Sequence, residues 1–436
     1  MTDTTDSLAR ATAAEQATVS PALRRRTTAV IVTSQILGGF GVAVGIALAA
    51  LLAAETSGSA GLSGLAMTAS VLGTAVLSLP LAALMARRGR RPGLVLGYLT
   101  GATGGAVVVT AAVMGNFPLL LLGMAVFGAG SSANLQARFA AADLAPPERR
   151  GQAIAAVMWA TTAGAVLGPN IAAPAGRSAA ALSDRIPVTA GPFLWASGIF
   201  LLAALLVHVL LRPDPLLTAR ALSHGGAPGA PAAEDRSLRA GLAAVASSPR
   251  ARLALVAVAV SHTVMVAIMV MTPLDMDHHG AGIELIGLVI SGHIAGMYAF
   301  SPVMGWLADR LGRVTVIGAG LAVLALATLL AGTADGHHGQ AALGLFLLGL
   351  GWSAGLVAGS ALLTDSVPQA ARAAAQGLSD LAMNGSAAAG GALAGLVVSQ
   401  AGYGWLNALG AAVLLPAAVL AVRTTARGGG RPLQRG

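Results

Sequence analysis

Twelve apolar runs, each close to the length of one membrane-crossing helix, divide this chain almost from end to end. A hydrocarbon core of about 30 Å takes about 20 residues of α-helix. The runs fall near residues 28–54, 64–86, 92–114, 118–141, 152–175, 190–211, 251–274, 284–304, 314–334, 340–364, 376–399 and 403–423. In lipid the backbone must satisfy its own polar groups, and runs of this length do so as helices. The chain therefore reads as an all-α membrane protein with twelve transmembrane helices. Only 10% of its residues are charged, against roughly a quarter in a soluble protein, which leaves too little polar surface for a dissolved fold.

An even number of spans puts both termini on one face. The chain has no lysine, so its 26 basic residues are all arginine. With the N-terminus inside, only Arg177 and Arg185 fall on the outer side, and the positive-inside rule then makes both termini cytoplasmic. This predicts a multi-pass protein of the cell's inner (plasma) membrane whose first partner is the lipid bilayer. The net charge of +9 belongs to the membrane surface rather than to a nucleic-acid footprint. The run 28–54 is too long for a signal-peptide core. There is no cysteine, so any soft metal ligand must be methionine or histidine.

The chain is also internally duplicated. "LMARRGRRPG" (84–93) follows the second run and "LADRLGRVTV" (307–316) the eighth. Gly89 pairs with Gly312, Gly130 with Gly351 and Asp143 with Asp365, at an offset of about 222 residues. The predicted organisation is a cytoplasmic tail (1–27), a six-helix bundle (28–211), a cytoplasmic linker (212–250), a second six-helix bundle (251–423) and a C-terminal tail (424–436). The linker holds "SHGGAPGAPAAEDR" (223–236) and a surface helix expected near Leu238 to Ala246. Two six-helix repeats enclosing a site near the bilayer midplane form a secondary-transporter architecture. There is no P-loop and no soluble domain of useful size, so an enzyme or an ATP-driven pump is not expected.

These motifs resemble the major facilitator superfamily along essentially the whole chain. The loop signature of that family is met in the second half by Gly305, Asp309, Arg310, Gly312 and Arg313. The first-half copy keeps Arg87, Gly89, Arg90 and Arg91 but has Ala82 and Ala86 where glycine and aspartate are usual. The resemblance implies that these loops gate the inner mouth through a carboxylate–arginine network. "GAVLGPNIAA" in the fifth run resembles the antiporter signature at Gly164, Gly168 and Pro169, with Ala172 and Ala173 in place of its closing glycines. Met124 stands where the family often has an arginine in its fourth span.

A narrower resemblance comes from Met265-x-x-x-Met269 in the seventh run and His293-x-x-x-Met297 in the eighth. This spacing is similar to that of the CcoA-like copper importers, in which such pairs are implicated in copper uptake; some relatives there are associated with riboflavin. Residues four apart share a helix face. Thioether and imidazole ligands favour Cu(I) over hard cations. Met265, Met269, His293 and Met297 are thus the expected metal ligands on antiparallel neighbouring helices. His262 and Met304 extend the path inward, and Met276, His278 and His279 collect the ion at the outer mouth. The bland alternative is flexible core filling, to which methionine is suited. The duplication offers a control: the first-half counterparts of Met265 and His293 are alanine or valine and valine or serine, so the fold itself does not require soft residues there.

The leading expectation is a monomeric transporter with no bound cofactor, for which copper is the transported ion. The alternative is proton-coupled transport or export of a small organic compound, drug-like or riboflavin-like. The aromatic content of 4% argues against a pocket that stacks flat rings. His224, His337 and His338 read as solvated surface, and Asp380 as a partner for an inner arginine or a proton carrier. "GGFGVAVG" (38–45) and "GGALAG" (390–395) read as close helix packing.

Overall fold

The structure, a computed structural model, describes residues 19–59, 62, 64–223 and 237–428. Within its helices the side chains of 44–47, 50, 165–173, 180, 182, 223, 283–284 and 426–428 lie outside the description. So do most of the N-terminal tail, the Gly/Pro-rich part of the linker with His224, the end of the C-terminal tail, and the detail of the antiporter-like motif at Gly168 and Pro169.

Twelve helical segments of membrane length follow one another: α1 (Pro21–Ser57), α2 (Gly64–Arg88), α3 (Arg90–Met114), α4 (Phe117–Asp143), α5 (Arg150–Leu182), α6 (Gly191–Leu210), α7 (Pro249–His278), α8 (Ile283–Ile294 and Ser301–Leu311, joined by a π-helical turn Ala295–Ala299), α9 (Arg313–Gly332), α10 (His338–Ser366), α11 (Arg372–Ala401) and α12 (Tyr403–Gly428). Among the described residues there is no strand, and ten of these segments are long and apolar enough to cross a membrane. The other two, α1 and α5, are 37 and 33 residues long. Several starts are written in the sequence. Ser20, Asn116 and Ser248 each accept a hydrogen bond from a backbone N–H of the first turn, with proline at the first or second helical position.

Helices α1–α6 and α7–α12 form the two six-helix repeats, each around its own apolar core. The duplication persists in backbone detail. Gly89 and Gly312 open α3 and α9 at φ of 94° and 93°, a region that penalises any side chain, which explains why both loops keep glycine. Gly305 has another reason. A Cβ there would lie 2.5 Å from the Ala155 Cβ and 2.6 Å from the Gly151 carbonyl oxygen, so α8 and α5 touch through it.

The helix expected near Leu238 to Ala246 is present as Leu238–Ser247. It rests on the start of α11, where Gly241 lies against Ala374 and Ala375. The two halves meet at their inner ends. Among the described residues the hydrogen bonds that cross between them run from Ser78 and Ser301 inward.

Candidate functional site

A cavity of about 410 Å³ lies between the halves at mid-depth. The first half supplies Gln35, Met67, Ser70, Thr74, Asn134, Met158 and Thr161, and the second His262, Tyr298, Trp352, Met383 and Asn384. No charged side chain lines it among the described residues. Its polar groups are held in place by the protein. The Gln35 amide donates to Thr161 Oγ1 at 2.8 Å, and its own Oε1 is buried with no partner. Tyr98 donates to Asn134 Oδ1 at 3.2 Å, and Asn384 donates to the Asp380 carbonyl at 2.9 Å. Trp352 Nε1 donates to His262 Nδ1 at 2.8 Å, which fixes a neutral imidazole with its proton on Nε2. The Trp352 ring meets Tyr298 edge-on, with centroids 5.5 Å apart. The expectation drawn from low aromatic content is thus corrected: aromatic residues are few, but two of them line this cavity.

One helical turn inward from the cavity lies a buried ion pair. Arg138, four residues after Asn134 on α4, reaches Asp380, four residues before Asn384 on α11, at 2.6 Å. Gln136 donates to the other Asp380 oxygen at 2.9 Å. Arg138 also donates to Ser360 Oγ at 3.2 Å; Ser360 is its own counterpart at the repeat offset of 222. Both ionised side chains are essentially fully buried, so each depends on the other. The pair ties one half to the other directly beneath the cavity.

Further inward, the loop signatures form a carboxylate–arginine network that spans the two halves. Arg90 is completely buried and binds Asp143 through two bonds, at 2.7 and 3.2 Å, while also donating to Gln376 across the halves at 2.5 Å. Its repeat counterpart Arg313 reaches Asp365 at 3.2 Å and Asp309 at 3.0 Å. Arg150 pairs with Asp365 across the halves. Asp309 accepts from the backbone N–H groups of Gly151 and Gln152, at 3.0 and 2.9 Å, and so caps the start of α5. Arg87 and Arg310 are exposed, and Arg310 lies over the Trp306 ring. In the first half, Ala86 replaces the capping aspartate, and the Leu238–Ser247 helix covers the corresponding start of α11 instead. Gly164 of the antiporter-like motif is a close-approach point, where a Cβ would lie 2.5 Å from the Gly39 carbonyl carbon on α1.

The soft residues are placed differently from the cage drawn above. Met265, Met297 and Met304 are buried in the core of the second half, and Met269 packs against it partly buried; with His293, none of them lines the cavity. His293 is fully buried, with Nδ1 2.7 Å from the Leu345 carbonyl and Nε2 without a partner. Sequential α7 and α8 touch little, and both pack on α10. Of the secondary set, only His262 reaches the cavity. At the outer end Met276 is buried, His278 is exposed, and His279 has Nδ1 2.8 Å from the Asp275 carbonyl and Nε2 3.9 Å from Asp335 in the α9–α10 loop. Among the described residues no three His or carboxylate groups are arranged to hold a metal ion.

Gln35, Asn134, Arg138, Tyr298, Trp352 and Asn384 were not singled out from the sequence. The available signal was isolated polar or aromatic side chains inside apolar runs, spaced by four as in Asn134/Arg138 and Asp380/Asn384.

The sequence profile of the Major Facilitator Superfamily matches residues 30–274 and 253–435. The uncharacterized MFS-type transporter YddS of Bacillus subtilis (strain 168) is 37% identical over 404 residues, spanning 90% of this chain and 89% of that one. The riboflavin transporter RfnT of Brucella anthropi is 30% identical over 387 residues, spanning 88% and 92%. Among solved structures, the transporter FucP in its outward conformation superposes with a TM-score of 0.70 at 18% identity, covering 90% of this chain and 98% of that one.

Proposed function

The chain belongs to the major facilitator superfamily, and on that premise we propose that it carries a small, uncharged organic compound with a heteroaromatic core, of the riboflavin class, by alternating access. The observation that carries this reading is the cavity lining: neutral amides and hydroxyls from both halves, a neutral imidazole and two aromatic rings, with no charge among the described residues. A pocket of this size and polarity suits a neutral solute with an apolar body and a hydrogen-bonding edge. Gln35 Oε1 and the Asn384 amide oxygen are acceptors for that edge. The relative named a riboflavin transporter supports the same class. The cavity floor rests on the Arg138–Asp380 turn, so a solute that pulls on Asn134 or Asn384 acts on the pair that holds the inner end shut.

Copper is the second reading. It rests on the burial of Met265 and Met297 in one core, on the buried His293 ring and on its unpartnered Nε2. One experiment separates the two: uptake of labelled riboflavin and of Cu(I) into proteoliposomes, normalised to folded protein. Trp352→Leu and Asn384→Leu are expected to lower riboflavin uptake by about tenfold, the loss of one or two good contacts, with Met265→Leu leaving it within about twofold. Copper uptake that depends on Met265 and His293, with no riboflavin uptake, overturns the proposal in favour of the second reading.

A further inference from the structure

A second cavity, of about 400 Å³, opens on the inner face. Its wall comes from three parts of the chain. The first half supplies Val19, Arg24, Asp143 to Pro146 and Arg150. The short helix Pro215–Ser223 supplies Ala219 and Leu222, and the second half supplies Gln369 and Arg372. Three guanidinium groups thus converge on one small space. Among the described residues the wall holds one carboxylate, Asp143, and it is already engaged by two bonds from buried Arg90.

The donors here are under-used. Arg24 Nε, Arg150 Nε, Arg372 Nε and Gln369 Nε2 are all buried with no hydrogen-bond partner among the described residues. Arg150 spends one nitrogen on Asp365, and Arg372 one on Gln369 Oε1. Arg24 has only a long contact, 3.5 Å, to the Val19 carbonyl. Buried donors left unmade are costly, and like charges around one cavity repel. A tetrahedral oxyanion offsets that repulsion, since guanidinium forks match phosphate oxygens bidentately.

We propose that this cavity binds a phosphate group, held by Arg24, Arg150, Arg372 and Gln369, and that the bound anion locks the inner gate closed. The wall is complete only while α4–α5 of the first half and the start of α11 are together. A ligand that binds one conformation stabilises it by its differential affinity. The phosphate comes either from solution or from an anionic lipid headgroup, because the site opens at the inner membrane surface.

The chain has no cysteine, so one introduced thiol reports alone. Ser78, buried at the α2–α11 seam within 3.4 Å of the Gly377 carbonyl, is a near-isosteric place for it. The rate at which a maleimide reaches Ser78→Cys in the purified full chain measures opening. One arm adds inorganic phosphate in detergent against chloride at equal ionic strength. The other compares nanodiscs of phosphatidylcholine with nanodiscs also containing phosphatidic acid. Slowing by about tenfold is expected, the effect of about 1.4 kcal/mol of differential binding. Slowing in the first arm identifies a soluble phosphoryl ligand, and slowing confined to the second identifies a headgroup; either supports the site. The effect should vanish in Arg24→Gln/Arg372→Gln and persist largely in Arg24→Lys. No slowing in either arm, or undiminished slowing in the double variant, overturns the proposal.

Discussion

Arg138 and Asp380 show how much one buried pair can decide. Neither side chain has water to fall back on, and the pair bridges α4 and α11 across the halves. Removing one partner of such a pair typically costs about 3–5 kcal/mol, because it strands the other charge. Asp380→Asn is therefore expected to lower the thermal midpoint markedly and to raise thiol labelling at Ser78→Cys, as inner-closed protein is lost. Replacing both, as Arg138→Met with Asp380→Leu, strands no charge and should recover most of the lost midpoint. A double variant as unstable as the single one would show that the pair matters for its shape rather than for its charge. Asp380 was recognisable in the sequence as a partner for an inner arginine or a proton carrier. Which arginine was not, because the two lie 242 residues apart in sequence and meet only when the halves close.

At the scale of the helix, small residues set how closely the halves approach. Gly305 seats α8 on α5, and even a methyl group there would meet the Ala155 Cβ and the Gly151 carbonyl. Overpacking of this kind costs about 1–3 kcal/mol, paid only in the inner-closed state, where the two helices touch. Gly305→Ala should thus shift the population toward inner-open and speed maleimide labelling of Ser301→Cys, which is buried at the same seam. Gly318→Ala on α9, where a Cβ would meet nothing within 4 Å, is the control and should leave labelling unchanged. Equal rates for the two alanine variants would remove Gly305 from the gate. The helices themselves were legible because length and apolarity alone dictate a span. The resemblance to the family's loop signature pointed to Gly305, Asp309 and Arg313. The cavity was harder to read. Gln35, Asn134 and Trp352 reach it from three separate helices, and no periodicity within a single helix reveals that convergence. The π-helical turn at Ala295–Ala299 adds to the difficulty: it breaks the regular helical spacing within α8, between His293 and Ser301, around the very residue, Tyr298, that lines the cavity.

Across the whole molecule, the duplication is near but not complete, and one departure falls in the network at the inner ends. The Arg90–Asp143 and Arg313–Asp365 pairs repeat faithfully, whereas the aspartate cap does not: Asp309 holds the start of α5, while Ala86 leaves the start of α11 to the linker helix. The inner closure therefore has one polar hinge point and one apolar, braced one. Alternating access requires the polar side to release Gly151 and Gln152 from Asp309 in every cycle. A flexible, reducible crosslinker between Gln152→Cys and Leu311→Cys, both exposed at the inner ends of α5 and α8, should prevent that release. Uptake is expected to fall to background, and to return when the linker is reduced, because a conformational step gates turnover. Solute binding from the outer side should survive the crosslink within about threefold, since the cavity is assembled while the inner ends are joined. Continued uptake by crosslinked protein would mean that the solute leaves without parting α5 from α8, and the linker-braced α2–α11 side would then have to be the one that opens.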